Sequence, residues 1–203
     1  MKSDMIVEEI TKRLKNQLNP KRLQHTMGVL DYSVLLADKH NEDQFPVKIA
    51  ALYHDAFRNH KHDELLLLAK ENKMQLSDEE QKNPLLLHGR LAAFDLSKRY
   101  PELSRLDEIA EAVQYHTSGY PFGSKIGKII FVADSLEKNR LYPGIDELRK
   151  VSIKNLDAAF FMILKGKIKF ALQKEHLLLK ETVSAYNHIL INGETIDDRH
   201  SGI

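Results

Sequence analysis

The chain has 203 residues, of which 42% are hydrophobic and 29% charged, so it holds enough apolar material for the core of one domain. Thirty basic and twenty-nine acidic side chains leave a formal charge of +1, which argues against a protein that coats nucleic acid or an anionic membrane. Cysteine is absent, and this excludes disulfides, cysteine-ligated zinc, iron–sulfur clusters and a thiolate nucleophile.

Helical periodicity predicts an all-α chain with no strand–turn–strand pattern. We expect a helix over 1–17 that packs on the core, a single compact helical domain over 18–191, and a polar tail over 192–203. No apolar run approaches the roughly 18 residues of a membrane span, and acids interrupt the first residues, so we expect a cytoplasmic protein without a membrane partner. The predicted helices are 4–17, 20–40, 46–57, 62–72, 84–99, 102–116, 124–138, 146–152, 154–174 and 181–191.

Four of the ten histidines and two aspartates share one kind of environment. Each lies on the apolar face of a predicted helix, where the three- and four-residue spacing of neighbouring apolar side chains indicates burial. Together they occupy five different helices. These residues are His25, His54, Asp55, His88, His116 and Asp134.

A single histidine on an apolar face is more often a hydrogen-bonded core residue than a metal ligand. Two buried carboxylates are different, because an unpaired buried charge is very costly and a cation must lie nearby. The sequence offers no series of buried lysines or arginines to supply that charge. Imidazole and carboxylate together suit divalent iron, manganese or zinc, so the pattern predicts a metal site.

A second His-Asp pair, His62 and Asp63, follows eight residues after the first, with His60 beside it. The flanking residues are polar and charged, so this segment is interpreted as an exposed loop that leads into a helix cap. His40, His176 and His200 also lie in polar or terminal surroundings and receive no role, and His188 is left undecided.

Five segments of the chain together resemble the HD-domain metallophosphohydrolases, and in particular the YqeK-type branch, the symmetrical diadenosine-tetraphosphate hydrolases of bacteria. The His-Asp pair is a weak signal alone, whereas the six ligand-type residues in this order, with the long last segment, are strongly specific. The likeness covers about residues 18 to 191. The segments are RLQHTMGV (Arg22–Val29), LYHDAFR (Leu52–Arg58), PLLLHG (Pro84–Gly89), YHTSGYP (Tyr115–Pro121) and KIIFVADSLEKNRLYPGIDELR (Lys128–Arg149).

The resemblance implies a helical HD-domain bundle that holds two metal ions. His25, His54, Asp55 and Asp134 would surround one ion, and Asp55 would bridge to a second, which His88 and His116 would complete. The family implies iron, while the ligand types alone leave manganese and zinc open. Asp55 and Arg58 would be the catalytic residues, and a metal-bound hydroxide would cleave the substrate. The reaction implied is symmetrical hydrolysis of diadenosine tetraphosphate, or of a related dinucleoside polyphosphate, with two ADP as the products from the tetraphosphate.

A polyphosphate needs further cationic and polar contacts, and four residues are candidates. Arg58 stands where the family usually carries lysine, since the run here is HDAFR in place of HD-x-A-K. Arg140 could bind phosphate or form a surface ion pair with Glu137. Thr117 and Gly119 could approach a phosphate, or they could form the C-terminal turn of a helix, with Gly119 in the left-handed conformation.

Other functions stay open from the sequence. One is a nucleotide phosphatase or a signalling-nucleotide phosphodiesterase of the same superfamily, and another is a non-catalytic helical module that binds metal or nucleotide. We expect no nucleic-acid partner, because no long basic tract or aromatic-interleaved basic patch is present. A homodimer is left open.

Overall fold

The computed structural model describes residues 2–192, and these residues form α-helices and turns without a strand, as the sequence predicted. The polar tail predicted for 192–203 lies, apart from its first residue, outside the described residues, as does His200. The α-helices of the described part are α1 (Lys2–Gln17), α2 (Pro20–Lys39), α3 (Gln44–Tyr53), α4 (His62–Glu71), α5 (Asp78–Lys82), α6 (Leu87–Arg99), α7 (Leu106–Tyr115), α8 (Lys125–Leu136), α9 (Ile145–Lys154), α10 (Leu156–Gln173) and α11 (Lys180–Ile191).

Helices α3 and α8 form the centre of the bundle. Both have apolar residues around most of their circumference, and the runs Ile49–Tyr53 and Ile129–Ala133 are completely buried. The two helices pack on each other and on α2 and α7. A helix that is apolar all round must be enclosed by other helices, and here the C-terminal ends of both helices lie inside the molecule.

The remaining helices cover this centre. Helix α1 lays Ile10 and Leu14, both fully buried, on α3. Helices α6 and α7 pack closely because α6 has Gly89 at the contact, where a Cβ atom would come within 2.7 Å of the Gln114 carbonyl oxygen. This glycine follows His88 directly and lets α6 approach the end of α7 that carries His116.

Several helix ends differ from the prediction, for local reasons. Helix α3 ends at Tyr53 and not near residue 57, because a tight turn follows in which the Arg58 amide donates to the Asp55 carbonyl. The segment 84–99 begins as a 3-10 turn over Pro84–Leu86. Helix α7 begins at Leu106 and not at 102, since Arg105 has a left-handed backbone with φ of 59°.

Helix α5 has no counterpart in the prediction. Its five residues are too few to produce a helical period, and it forms through a capping box. The Glu80 amide donates to Ser77 Oγ, while the Ser77 amide donates to Glu80 Oε2. Within the described residues no helix combines the length and the apolarity that crossing a membrane would require.

Candidate metal centre

The six predicted ligands come from five separate helices, and the structure brings them together around Asp55. His54 and His116 are the C-terminal caps of α3 and α7, so both stand where a helix ends inside the molecule. His25 and His88 lie within α2 and α6, and Asp134 lies in the last turn of α8. The four histidines are at most 9% exposed.

Asp55 lies between two pairs of histidines, and its two carboxylate oxygens face different pairs. Oδ2 is 3.6 Å from His25 Nε2 and 3.5 Å from His54 Nε2. Oδ1 is 3.4 Å from His88 Nε2 and 3.7 Å from His116 Nε2. The possible ligand atoms within 4.8 Å of one another accordingly fall into two triads that share Asp55, namely His25, His54 and Asp55, and Asp55, His88 and His116.

The second ring nitrogen of each histidine is held on the far side of the ring. Nδ1 of His54, His88 and His116 lies 2.7, 2.6 and 2.7 Å from the carbonyl oxygen three residues earlier. A carbonyl only accepts, so Nδ1 carries the hydrogen, and in the neutral ring Nε2 presents a bare lone pair. This is the orientation in which histidine binds a metal through Nε2.

The Nε2 atoms need a cation that the protein does not supply. Nε2 of His25 and of His54 is buried without a hydrogen-bond partner in the described part of the chain. Nε2 of His88 lies 3.1 Å from Nε2 of His116, and in their neutral forms these two acceptors face each other. Because one divalent cation beside each histidine pair would satisfy the two lone pairs of that pair, the residues present fit a metal centre of imidazole and carboxylate ligands.

The electrostatics of the cluster favour ionised carboxylates and act in opposite directions on two of the imidazoles. Burial lowers the pKa of His54, but the charge of Asp55 more than reverses this effect and raises that pKa. Burial alone raises the pKa of Asp55, but the neighbouring imidazoles outweigh it and hold that pKa well below its ordinary range. Burial also raises the pKa of Asp134, and the close approach of His25, whose Nε2 lies 3.0 Å from Asp134 Oδ1, more than reverses the effect. Burial lowers the pKa of His116 to about 4, which keeps this ring neutral at pH 7. The centre therefore combines ionised carboxylates with at least one neutral imidazole.

One expectation from the sequence is wrong. We expected Asp55 and Asp134 to lack cationic side-chain partners, and both have an arginine. Arg22 Nη1 lies 2.6 Å from Asp55 Oδ2, and Arg140 Nη2 lies 2.9 Å from Asp134 Oδ1. Arg22 is three residues before His25 on the same face of α2, and this spacing could have identified it. The case for a metal rests on the imidazole nitrogens and not on unpaired acids.

The predicted phosphate contacts fall in different places. Arg140 does not pair with Glu137; it binds Asp134 through both Oδ1 and the main-chain oxygen and keeps 42% of its side chain exposed. Arg58 lies half-buried in the turn after Asp55, and its guanidinium makes no hydrogen bond or ion pair within residues 2–192. Its positive charge is close enough to interact with both Asp55 and Asp134.

Thr117 and Gly119 occupy the turn after His116. Thr117 is exposed, and its Oγ1 lies 3.1 Å from His116 Nε2. Gly119 has φ of 73°, and its amide donates to the Tyr115 carbonyl oxygen. A Cβ atom there would come within 3.1 Å of both Leu164 and Phe131, so this glycine has a structural role as the left-handed residue after the helix.

Glu137 also belongs to the centre, although the sequence suggested for it only a surface ion pair with Arg140. Its carboxylate oxygen Oε1 lies 3.2 Å from His25 Nδ1, and the residue is 1% exposed. It stands three residues after Asp134, so the helical period already placed both acids on one face. By contrast, His62 and Asp63 are exposed, as predicted, and so are His176 and His188.

Comparison with known proteins gives one family and several relatives of similar length. The HD domain family model matches residues 22–139. The chain is 33% identical to the symmetrical bis(5'-nucleosyl)-tetraphosphatase of Bacillus subtilis over 90% of this chain and 97% of that protein. It is 32% identical to the enzyme of the same name from Halalkalibacterium halodurans, over 88% and 94% of the two chains. Among solved structures, a predicted HD superfamily hydrolase involved in NAD metabolism from Clostridium acetobutylicum superposes with a TM-score of 0.83 at 34% identity, over 91% of this chain and 97% of that one.

Proposed function

The chain belongs to the HD-domain family, and we propose that it hydrolyses diadenosine tetraphosphate, or a related dinucleoside polyphosphate, by symmetrical cleavage. The single observation that supports a hydrolytic metal centre most strongly is the position of Asp55, whose two carboxylate oxygens face two different histidine pairs. The substrate class is supported by the two relatives that are named symmetrical tetraphosphatases and that match nearly the whole chain.

The two triads would each hold one divalent cation, and Asp55 would contribute to both. Asp134 would join the first set, because its Oδ1 lies 3.0 Å from His25 Nε2. Iron is the metal that the family resemblance implies, and the same set of imidazoles and carboxylates suits manganese or zinc. When bound, the two cations would lower the pKa of a water molecule and neutralise charge on the attacked phosphate.

The chain's own side chains would place the polyphosphate. Arg22, Arg58 and Arg140 all lie near the carboxylates of Asp55 and Asp134, so cationic charge collects beside the centre. Guanidinium groups bind phosphate oxygens with two parallel donors, which suits Arg58 and the exposed part of Arg140. The Thr117 hydroxyl offers a further polar contact beside His116.

A cavity of about 430 Å³ adjoins the other side of the centre. His88, a member of the second triad, and Thr117 belong to its wall, together with Arg90, Gln114 and Tyr115. This volume lies in the range of small-molecule sites. We assign the cavity to the nucleoside of one half of the substrate, while the polyphosphate extends past the metals toward the arginines.

The reaction is tested by product analysis. One water adds to an inner phosphorus, the central P–O–P bond breaks, and the released proton passes to solvent, so one tetraphosphate gives two ADP. We expect the full chain, loaded with Mn²⁺ or Fe²⁺, to convert diadenosine tetraphosphate to ADP as the single product on anion-exchange chromatography. AMP with ATP would contradict symmetrical cleavage, and free phosphate or nucleoside as the main product would indicate the alternative phosphatase activity.

The metal part of the proposal has its own test. Elemental analysis of the full chain purified without chelator should give about two metal ions per chain. A metal-free preparation that keeps full activity would contradict the proposed chemistry. The cytoplasmic location and the absence of a nucleic-acid partner stay predictions from the sequence, and a homodimer stays open.

A further inference from the structure

The Glu137 carboxylate is engaged on both of its oxygens. Oε1 faces His25 Nδ1, while Oε2 accepts from the amide of Asn139 at 2.7 Å and from the Asn139 side-chain nitrogen at 2.9 Å. Because the residue is 1% exposed, water does not compete for these contacts. The side chain is thus fixed in one orientation, with one oxygen directed at the His25 ring.

His25 is held differently from the other three histidines of the centre. His54, His88 and His116 are each oriented by a main-chain carbonyl three residues earlier, so the adjacent backbone fixes each ring. His25 depends on a side chain 112 residues away in sequence. A substitution can therefore remove the partner of His25 while the other three rings keep theirs.

We infer that Glu137 is a positioning residue for His25, which it holds with the hydrogen on Nδ1 and the Nε2 lone pair turned toward Asp55 and Asp134. The inference rests on the metal centre of the proposed function and adds a residue that does not touch the metal. A carboxylate in this place also makes the imidazole a stronger ligand than a carbonyl would.

Gly28 provides independent support. It lies one helical turn after His25 in α2, and a Cβ atom there would come within 2.4 Å of Glu137 Oε2. Glycine within a helix lowers the stability of the helix relative to alanine. A glycine at this position is explained if the space that a side chain would fill is needed by another group. The Glu137 carboxylate occupies this space, so a side chain at position 28 would displace the carboxylate that contacts His25.

Glu137→Gln tests the role with almost no change of shape. The two Asn139 donors require the amide oxygen, so the amide nitrogen would turn toward His25 Nδ1. That nitrogen is a donor, so it would favour the ring form with hydrogen on Nε2, which cannot bind a metal through Nε2. In the opposite orientation the amide oxygen would keep the His25 contact, but the amide nitrogen would face the two Asn139 donors and both of those hydrogen bonds would be lost, which disfavours this orientation.

The readout is metal binding by the full chain, measured by titrating Mn²⁺ against a competing chelator without any substrate. For Glu137→Gln we expect one of the two Mn²⁺ ions to bind about 10–100-fold more weakly and the other to be little changed. Glu42→Gln is the matched control, because it removes a carboxylate from the ion pair with Arg105 far from the centre. Unchanged affinity for both ions in Glu137→Gln would overturn the inference.

Gly28→Ala keeps the assignment testable if Glu137→Gln fails to fold. The added methyl should displace the carboxylate and weaken the same Mn²⁺ ion, while the same substitution in a Glu137→Ala background should cause no further loss. Equal losses in both backgrounds would contradict the link. Because no substrate is present, a chain that binds Mn²⁺ normally but does not cleave the tetraphosphate would reject the proposed function and leave this inference standing.

Discussion

The chain contains the His-Asp dipeptide twice within ten residues, and the two copies have opposite environments. His54 is 0% exposed and Asp55 is 3% exposed, whereas His62 and Asp63 both lie on the surface. The first pair follows the fully buried residues of α3, so the chain carries it into the centre of the bundle. The second pair begins α4. The dipeptide itself therefore carries little information, and the preceding ten residues decide its role.

The exposed pair has a local structural role. Asp63 and Glu64 occupy the first turn of α4, where negative charge is favourable near the helix N-terminus. Glu64 Oε2 accepts from the Lys61 amide at 2.8 Å, which satisfies a donor that the helix leaves free. The same residue types thus stabilise a helix end at one place and form a candidate metal centre at the other.

The largest expected difference between the pairs is in catalysis. Asp55→Asn should lower kcat/KM for diadenosine tetraphosphate by about 10³-fold or more, because it removes the anion between the two metal triads. Asp63→Asn should stay within about twofold, as is usual for surface substitutions. Steady-state kinetics on both variants, with circular dichroism as the check of folding, measure this. A similar loss in both would mean that the buried pair has no special role.

Next in size is metal retention. Loss of the hydrogen-bond partner of a metal ligand weakens metal binding by up to roughly 100-fold. His54→Ala removes the ligand itself, so it should weaken metal binding in the first triad by more than that. His62→Ala should retain the wild-type metal content after dialysis against a chelator, as judged by elemental analysis. If His54→Ala kept two ions per chain, His54 would not be a ligand.

Metal removal should affect stability through the buried pair alone. A ligand that binds only the folded chain adds about 2.7 kcal/mol to the free energy of unfolding at 100 times its dissociation constant. Mn²⁺ should therefore raise the Tm of the wild type and of Asp63→Asn equally, and should raise the Tm of Asp55→Asn much less. Differential scanning calorimetry of chelator-treated protein with and without Mn²⁺ provides the comparison. Equal shifts in all three proteins would place the bound metal elsewhere.

A smaller effect is expected from the arginine beside Asp134. Arg140→Ala should raise KM about 10-fold, as expected when a hydrogen bond to a charged group is lost, and should leave the metal content unchanged. Lys138→Ala is the control, because Lys138 lies in the same segment, is 67% exposed and pairs with Asp31 on the surface. Loss of metal in Arg140→Ala would instead assign this arginine to the support of Asp134.

The smallest expected effect is a pH response at the exposed pair. The hydrogen bond from the Lys61 amide lowers the pKa of Glu64 below its ordinary value. A lowered folded-state pKa gives a stabilisation that is present above the ordinary value and is lost as the pH falls through the folded value. The Lys61 amide resonance should therefore shift on acidification and lose hydrogen-exchange protection, and Glu64→Gln should abolish the dependence. A wild-type resonance that does not move would contradict this cap.

Local sequence patterns predicted the helices well and their ends less well. Strongly apolar segments such as α3 and α8 were identified because a buried helix needs apolar residues on most of its faces. The end of α3 at Tyr53 and the start of α7 at Leu106 were misplaced, since both depend on a tight turn or a left-handed residue that any of several sequences can adopt. Helix α5 was missed because a five-residue helix has too few turns to show a period.

The sequence by itself determined the helical class, the chemical types of the candidate ligands and the burial of all of them except Asp134, which is partly exposed, because each of these follows from the residues within one or two turns. Only the tertiary structure decided which groups meet. In the structure the two oxygens of Asp55 face different histidine pairs, and Arg140 pairs with Asp134 in place of Glu137. Glu137 instead contacts His25, which lies 112 residues earlier in the chain. Such contacts depend on where whole helices end and cross. The periodicity of a sequence describes one helix at a time, so it does not predict how different helices are arranged.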